Sequence, residues 1–163
     1  MDQSFKINYR DIVVPADVAI VSEIVKSTGF FSHDEIDIAI ELVEDRLSDG
    51  DSSGYFFVFA EIGGQTVAYS CYGPIPGTHH SYDIYWIATH NNQRGHGIGK
   101  ILLKETENRI AQAKGKNIYI ETSSKLQYTP TRKFYESAGY ILDARLKDFY
   151  DDNDDKLIYV KRG

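Results

Sequence analysis

The feature that most limits what this chain can become is the stretch from Tyr82 to Lys100. Tyr82-Asp83-Ile84-Tyr85-Trp86-Ile87-Ala88-Thr89 is aromatic, β-branched or small, with apolar groups on both alternating faces, as in a strand covered on two sides. After His90-Asn91-Asn92, the run Gln93-Arg94-Gly95-His96-Gly97-Ile98-Gly99-Lys100 places glycine at every second position between an arginine and a lysine. From Ile98 the apolar spacing turns helical. A strand, a glycine-rich turn and a helix in succession gather backbone N–H groups at the positive end of the helix dipole, which suits an anion. An ordinary glycine turn has the same composition, so context must decide between the two. Two other phosphate loops fail on spelling. A Walker A loop needs Gly where Arg94 stands and Ser or Thr where Ile101 stands. The dinucleotide fingerprint needs Gly-x-Gly-x-x-Gly, and here the last spacing is one residue short.

Composition narrows the partners. A chain of 163 residues with 42% hydrophobic and 26% charged side chains fits one globular domain over residues 1–163 with a sizeable core. No apolar run is long enough for a membrane-spanning helix. Met1-Asp2-Gln3-Ser4-Phe5-Lys6 lacks the basic-then-apolar order of a secretory signal. The lone cysteine, Cys71, cannot form an internal disulfide or a thiolate metal site, so a reduced, cytoplasmic setting is expected. A net charge of −6 argues against nucleic acid and is compatible with a cationic small molecule or a basic peptide. A homodimer is allowed by the sequence and not read from it.

The remaining elements fall into place around the central stretch. Phe5 to Arg10 alternates as a strand. Pro15 opens a helix carrying Val14, Val18, Val21 and Val25, which Gly29 can end. Ser32 and Glu35 form a capping box ahead of a second helix with Ile36, Ile40, Val43 and Leu47 on one face. Asp49 to Gly54 is a loop. Tyr55 to Ile62 and Thr66 to Tyr72 are strands joined by a Gly63-Gly64 turn. Beyond the glycine run, a helix extends to about Lys114, stopped by Gly115, and Ile118 to Thr122 is a short strand. Thr129 caps a last helix with Pro130 in its first turn and Gly139 at its end. Tyr140 to Lys147 and Lys156 to Lys161 are strands around an aspartate-rich, exposed turn from Asp148 to Asp155. The class is α+β, often filed as α/β, with a mixed and mostly antiparallel sheet of about seven strands and about four helices.

The spelling Gln93-Arg94-Gly95-His96-Gly97-Ile98-Gly99 resembles, slightly compressed, the pyrophosphate loop of the GNAT superfamily of acyl-CoA-dependent N-acetyltransferases. Further along, Phe134-Tyr135-Glu136-Ser137-Ala138-Gly139-Tyr140 resembles that family's Phe-Tyr-x-x-x-Gly-Phe/Tyr ending of its last helix. The order of elements is similar over essentially the whole chain. One departure stands out: the Asn often found at the start of the family's last helix is Tyr128 here.

The resemblance implies acetyl transfer from acetyl-CoA to a primary amine, by direct attack in a ternary complex. It implies no metal, and no ligand spacing recurs among the histidines to suggest one. Gly95, His96, Gly97 and Gly99 would offer backbone N–H groups to the pyrophosphate, with Arg94 and Lys100 adding charge. Ile87, Ala88 and Thr89 would lie along the pantetheine arm, one N–H facing the thioester oxygen. Tyr135 would be the acid for the leaving thiolate, with Phe134 beside it. A base is needed because an alkylamine is almost wholly protonated at neutral pH. Asp83 is the only carboxylate in its strand and is the first choice; Glu61 and Glu121, on neighbouring strands, remain open. The alternative function is a GNAT-like module that binds acyl-CoA without turnover.

Overall fold

The computed structural model describes residues 6–163, so Phe5 of the first predicted strand lies outside the described residues. In chain order the elements are β1 (Asn8–Arg10), α1 (Asp17–Ser27), α2 (His33–Asp49), β2 (Phe56–Ile62), β3 (Gln65–Pro74), β4 (Ser81–Thr89), α3 (Ile98–Gln112), β5 (Asn117–Ser123), α4 (Thr129–Ser137), β6 (Ile141–Asp151) and β7 (Asp154–Arg162). Short 3₁₀ turns occupy Gly50–Ser53, Asn91–Gln93 and Leu126–Tyr128. The strands form a seven-stranded sheet in the order β1-β2-β3-β4-β5-β7-β6. β4 and β5 run parallel, whereas β1–β2, β2–β3, β5–β7 and β6–β7 are antiparallel. This is the mixed, mostly antiparallel α+β architecture expected from the sequence.

The chain divides into two compact units, Met1–Gly73 with Trp86–Arg109, and Pro74–Tyr85 with Ile110–Gly163. In the first unit, alternation along the strands builds two apolar layers. Phe57, Phe59, Tyr69, Cys71 and Ala88 face Val21, Ile24 and Val25 of α1 and Ala39 and Val43 of α2. Val58, Ala60 and Ala68 point the other way, onto Ile98 and Leu102 of α3. A buried hydroxyl pair, Ser70 and Thr106 at 2.7 Å, fastens α3 to β3, and Thr106 also donates to the Leu102 carbonyl.

Asp17 anchors the start of α1 from inside the protein. Its carboxylate is fully buried and takes both arms of the Arg10 guanidinium at 2.8 Å, plus the Val14 N–H. Arg10 lies 4.2 Å above the Phe59 ring and also donates to Glu61. The helix therefore begins at Asp17 rather than Pro15, and Val14 is left exposed. α2 has its predicted capping box, but Leu47 is exposed, and Asp49 to Gly54 contains a 3₁₀ turn.

In the second unit, β5 and β6 flank β7, and α4 packs through aromatic rings. Tyr135 lies 6.1 Å from Tyr140 and 6.4 Å from Tyr159 between ring centroids. Thr129 does not cap α4. Tyr128 holds that position after the 3₁₀ turn, and the Thr129 hydroxyl accepts from Arg132 instead. At the other end, Tyr140 N–H donates to the Tyr135 carbonyl and Gly139 N–H to the Glu136 carbonyl. These two bonds are a Schellman motif, and the Tyr135–Tyr140 ring contact is the apolar clasp that accompanies it. Gly139 adopts φ +96°, while an added Cβ would meet only Lys161 Cε at 3.5 Å. Glycine is required there by conformation and not by crowding. At Gly115 the reverse holds: φ is ordinary, but a Cβ would stand 2.4 Å from Ile110 Cγ2.

The acidic turn is the main departure from expectation. The strands run through it, turning at Asp152 and Asn153, and Asp154 and Asp155 are buried. Ser123 donates to Asp154, while Arg145 and the Asp148 N–H donate to Asp155, holding its carboxyl below the usual range. Satisfied carboxylates can be buried where unpaired ones cannot.

Two stability outcomes follow. Asp17→Ala removes the buried carboxylate that takes the half-buried Arg10 guanidinium and the Val14 N–H, and is expected to cost about 3 kcal/mol in urea unfolding. Gly139→Ala is expected to cost about 1 kcal/mol through backbone strain, with Gly139→Asn losing less because Asn tolerates the left-handed region. Equal losses for Ala and Asn would point to crowding instead.

Candidate active site

The glycine run is held at its entry by hydrogen bonds that the sequence does not advertise. His90 donates its backbone N–H to the Val67 carbonyl at 2.8 Å, and its Nδ1 accepts the Asn92 N–H at 3.2 Å. The Asn91 N–H donates to the Ser27 hydroxyl at 3.0 Å, tying the turn to the end of α1. His90 is thus a pin for the loop and not the solvated polar residue its loop position suggests.

Arg94 is extended, and Gly95 and Gly97 then take φ +84° and +75° with open space where a Cβ would stand. These two left-handed residues turn the chain into α3. The helix starts at Ile98, whose side chain is buried with Leu102, Val58 and Ala60. The Ile101 N–H donates to the Gly97 carbonyl at 3.1 Å, an i→i−4 bond at the head of the helix. The N–H groups of Ile98, Gly99 and Lys100 lie ahead of that ladder. Gly99 is accordingly helical, in the first turn of α3, while Ile98, absent from the sequence-based site, supplies both an N–H and the apolar anchor. Arg94, His96 and Lys100 are exposed, and neither Arg94 nor Lys100 has an ion pair among the described residues.

Upstream, β4 pairs with β5 only over Ser81–Asp83, opposite Asn117–Tyr119. Within the second unit these rungs end at Asp83 and Tyr119. Ala88 is buried among the α1 and α2 side chains, and Ile87 packs toward α3, as strand alternation requires. The first unit therefore places Ile87, Ala88, Thr89, Arg94, Gly95, His96, Gly97, Gly99 and Lys100 along one strand–turn–helix path.

The second unit holds Phe134, Tyr135 and Asp83. The rings of Phe134 and Tyr135 are 5.6 Å apart. Tyr135 is buried, which pushes its phenol up from the usual range, and its side chain makes no hydrogen bond among the described residues. Asp83 is half-buried, and its carboxyl is pushed up to about 6, first by desolvation, then by Glu121, with Lys156 acting against both. Glu121 is held by Lys156 at 2.9 Å. Glu61, the other carboxylate weighed from the sequence, belongs to the first unit and is committed to Arg10 and Thr66.

A cavity of about 470 Å³ lined by Asp11, Ile12, Val13, Arg46, Leu47, Gly50, Phe56, Phe57 and Tyr72 contains none of these residues. No cluster of His, Cys, Asp or Glu that could hold a metal occurs among the described residues, and no described helix is long and apolar enough to cross a membrane.

The strand, turn and helix just described, and the α4 ending, lie within a recognised family match. Residues 20–140 match the acetyltransferase (GNAT) family. A crystal structure of a GNAT-family protein from Desulfovibrio desulfuricans superposes with a TM-score of 0.94 at 42% identity, covering 96% of this chain and 99% of that one. An uncharacterized N-acetyltransferase of Methanocaldococcus jannaschii is 32% identical over 106 residues, which span 65% of this chain and 65% of that protein. An aminoglycoside 6′-N-acetyltransferase complexed with coenzyme A shares the fold at 17% identity, with a TM-score of 0.74 over 96% of both chains. The chain belongs to the acetyltransferase (GNAT) family.

Proposed function

We propose that the chain is an acetyl-CoA-dependent N-acetyltransferase acting on a primary amine of a small molecule or peptide, by direct attack in a ternary complex. The observation that carries this reading is the turn into α3: two left-handed glycines, a helix start whose N–H groups precede the ladder, and exposed Arg94 and Lys100 beside it. That geometry fits a pyrophosphate, and the coenzyme A seen in the 6′-N-acetyltransferase of the same fold supports the choice of ligand.

When bound, acetyl-CoA supplies an activated thioester carbonyl; the chain supplies everything else. The N–H groups from Gly95 to Lys100 hold the pyrophosphate, and Arg94 and Lys100 add charge. The resemblance assigns the backbone of Ile87, Ala88 and Thr89 to the extended pantetheine arm, as an added strand would take it. An N–H at Ile87 or Ala88 polarises the thioester oxygen. Asp83 accepts the proton of the attacking amine. With its carboxyl raised to about 6 it is still ionised at neutral pH, yet a better base than an ordinary aspartate.

The resemblance assigns Tyr135 to the departing thiolate, with Phe134 beside it. A thiol titrates near 8.5 and a free phenol near 10, and burial widens that gap. Complete proton transfer to the thiolate is therefore uphill; Tyr135 acts chiefly as a hydrogen-bond donor to the thiolate, which takes its proton from solvent as Asp83 returns the amine's proton to solvent.

Tyr135→Phe keeps the ring packing and removes the donor. It should lower kcat by roughly 10- to 100-fold in a thiol-release assay, with acetyl-CoA affinity and melting temperature unchanged. Full activity in this variant would remove Tyr135 from the reaction. The pH profile of kcat/KM should rise through about pH 6, because Asp83 is protonated and inert below that point. Asp83→Asn should lose this limb along with most of the activity; a variant that keeps both would exclude Asp83 as the base.

A further inference from the structure

Three elements converge on Asp83 in the second unit. Tyr119 of β5 stands opposite it in the parallel ladder, and Glu121 lies two residues further along β5 on the same face. Lys156 of β7 stands opposite Ser123 and reaches back to Glu121 with its ammonium at 2.9 Å. On its own strand, Tyr85 follows Asp83 on the same face. Burial raises the Asp83 carboxyl most; behind it, Glu121 pushes the carboxyl up and Lys156 draws it down.

Lys156 is not a free surface cation. Its side chain is only 15% exposed, and its ammonium sits 4.3 Å over the Phe149 ring of β6. A carboxylate on one side and an aromatic face on the other fix where the charge lies. Phe149 itself is half-exposed on an edge strand, a placement that makes little sense as core packing but sense as a seat for the ammonium. A lysine fixed in this way exerts a constant field on its neighbours, unlike a solvated side chain that averages over rotamers.

We propose that Glu121 and Lys156, seated on Phe149, are positioning residues that act through Asp83 and set how readily its carboxylate accepts a proton from the amine. The inference rests on the reading of Asp83 as the base. Glu121 makes proton uptake easier by repulsion across the ladder. Lys156 opposes it, both directly and by neutralising Glu121. The balance leaves Asp83 ionised at neutral pH without reducing it to a weak base.

The test is the acidic limb of kcat/KM, measured for Glu121→Gln, Lys156→Met, Lys156→Arg and the Glu121→Gln/Lys156→Met double variant, beside Asp83→Asn. Glu121→Gln should move the limb to lower pH and Lys156→Met to higher pH, each by roughly half a unit to one unit. Lys156→Arg keeps a cation over Phe149 and should restore the parent limb. The double variant should fall between the two singles. If the limb disappears in Asp83→Asn yet stays put in both single variants, the pair does not act on Asp83 and the proposal fails. A Lys156→Met variant that loses melting temperature with an unmoved limb would assign Lys156 to holding the β6–β7 hairpin and would also overturn it. A limb that persists in Asp83→Asn overturns the base assignment itself, a distinct outcome.

Discussion

A helix cannot satisfy the N–H groups of its own first turn, and the proposed chemistry of this protein is built on that deficit. At α3 the unpaired donors are gathered by two left-handed glycines and stiffened by the buried side chain of Ile98. His90 and Ser27 fix the chain just before the turn. A turn held in this way loses little freedom on binding an anion. Unmet backbone hydrogen-bonding capacity at the head of α3 is what the proposed site offers a ligand.

The second unit works by the opposite rule at its two buried aspartates, which are satisfied within the protein. Asp154 and Asp155 are matched by Ser123, Arg145 and a backbone N–H, and the aromatic clasp of Tyr135 and Tyr140 closes α4. The Phe-Tyr-x-x-x-Gly-Tyr spelling thus has a structural meaning: Tyr135 and Tyr140 are the residues that a Schellman ending brings together, and Gly139 supplies the conformation. The same contact that ends the helix holds the Tyr135 ring in place. Stability and the proposed chemistry share one set of atoms, so variants that keep the ring and change only its hydroxyl are the informative ones.

Local signals made most of the fold legible. The Ser32–Glu35 capping box, the Gly63-Gly64 turn and the strand–glycine–helix run each depend on residues within a few positions of one another, and all three stand as expected. Long-range pairing was the part that stayed hidden. Nothing near Asp17 announces that Arg10 will bury it, and nothing in an aspartate-rich segment says that two of its members will be enclosed. Thr129 and Pro130 spell a helix start, yet the preceding 3₁₀ turn moved the cap to Tyr128. At the candidate site, Asp83 was legible as the lone carboxylate of a buried strand. Lys156, more than seventy residues away in the chain and joined to it only through the sheet, was not.

The α3 turn is the proposed seat of acetyl-CoA. The decisive measurement is thermal unfolding with acetyl-CoA beside ATP and NAD, on the parent chain and on Arg94→Ala/Gly97→Ala. At about a hundred times its dissociation constant, acetyl-CoA should stabilise the parent by about 2.7 kcal/mol, with a much smaller shift in the double variant and none with NAD. No shift with acetyl-CoA, or an equal shift with ATP that survives in the double variant, would contradict it.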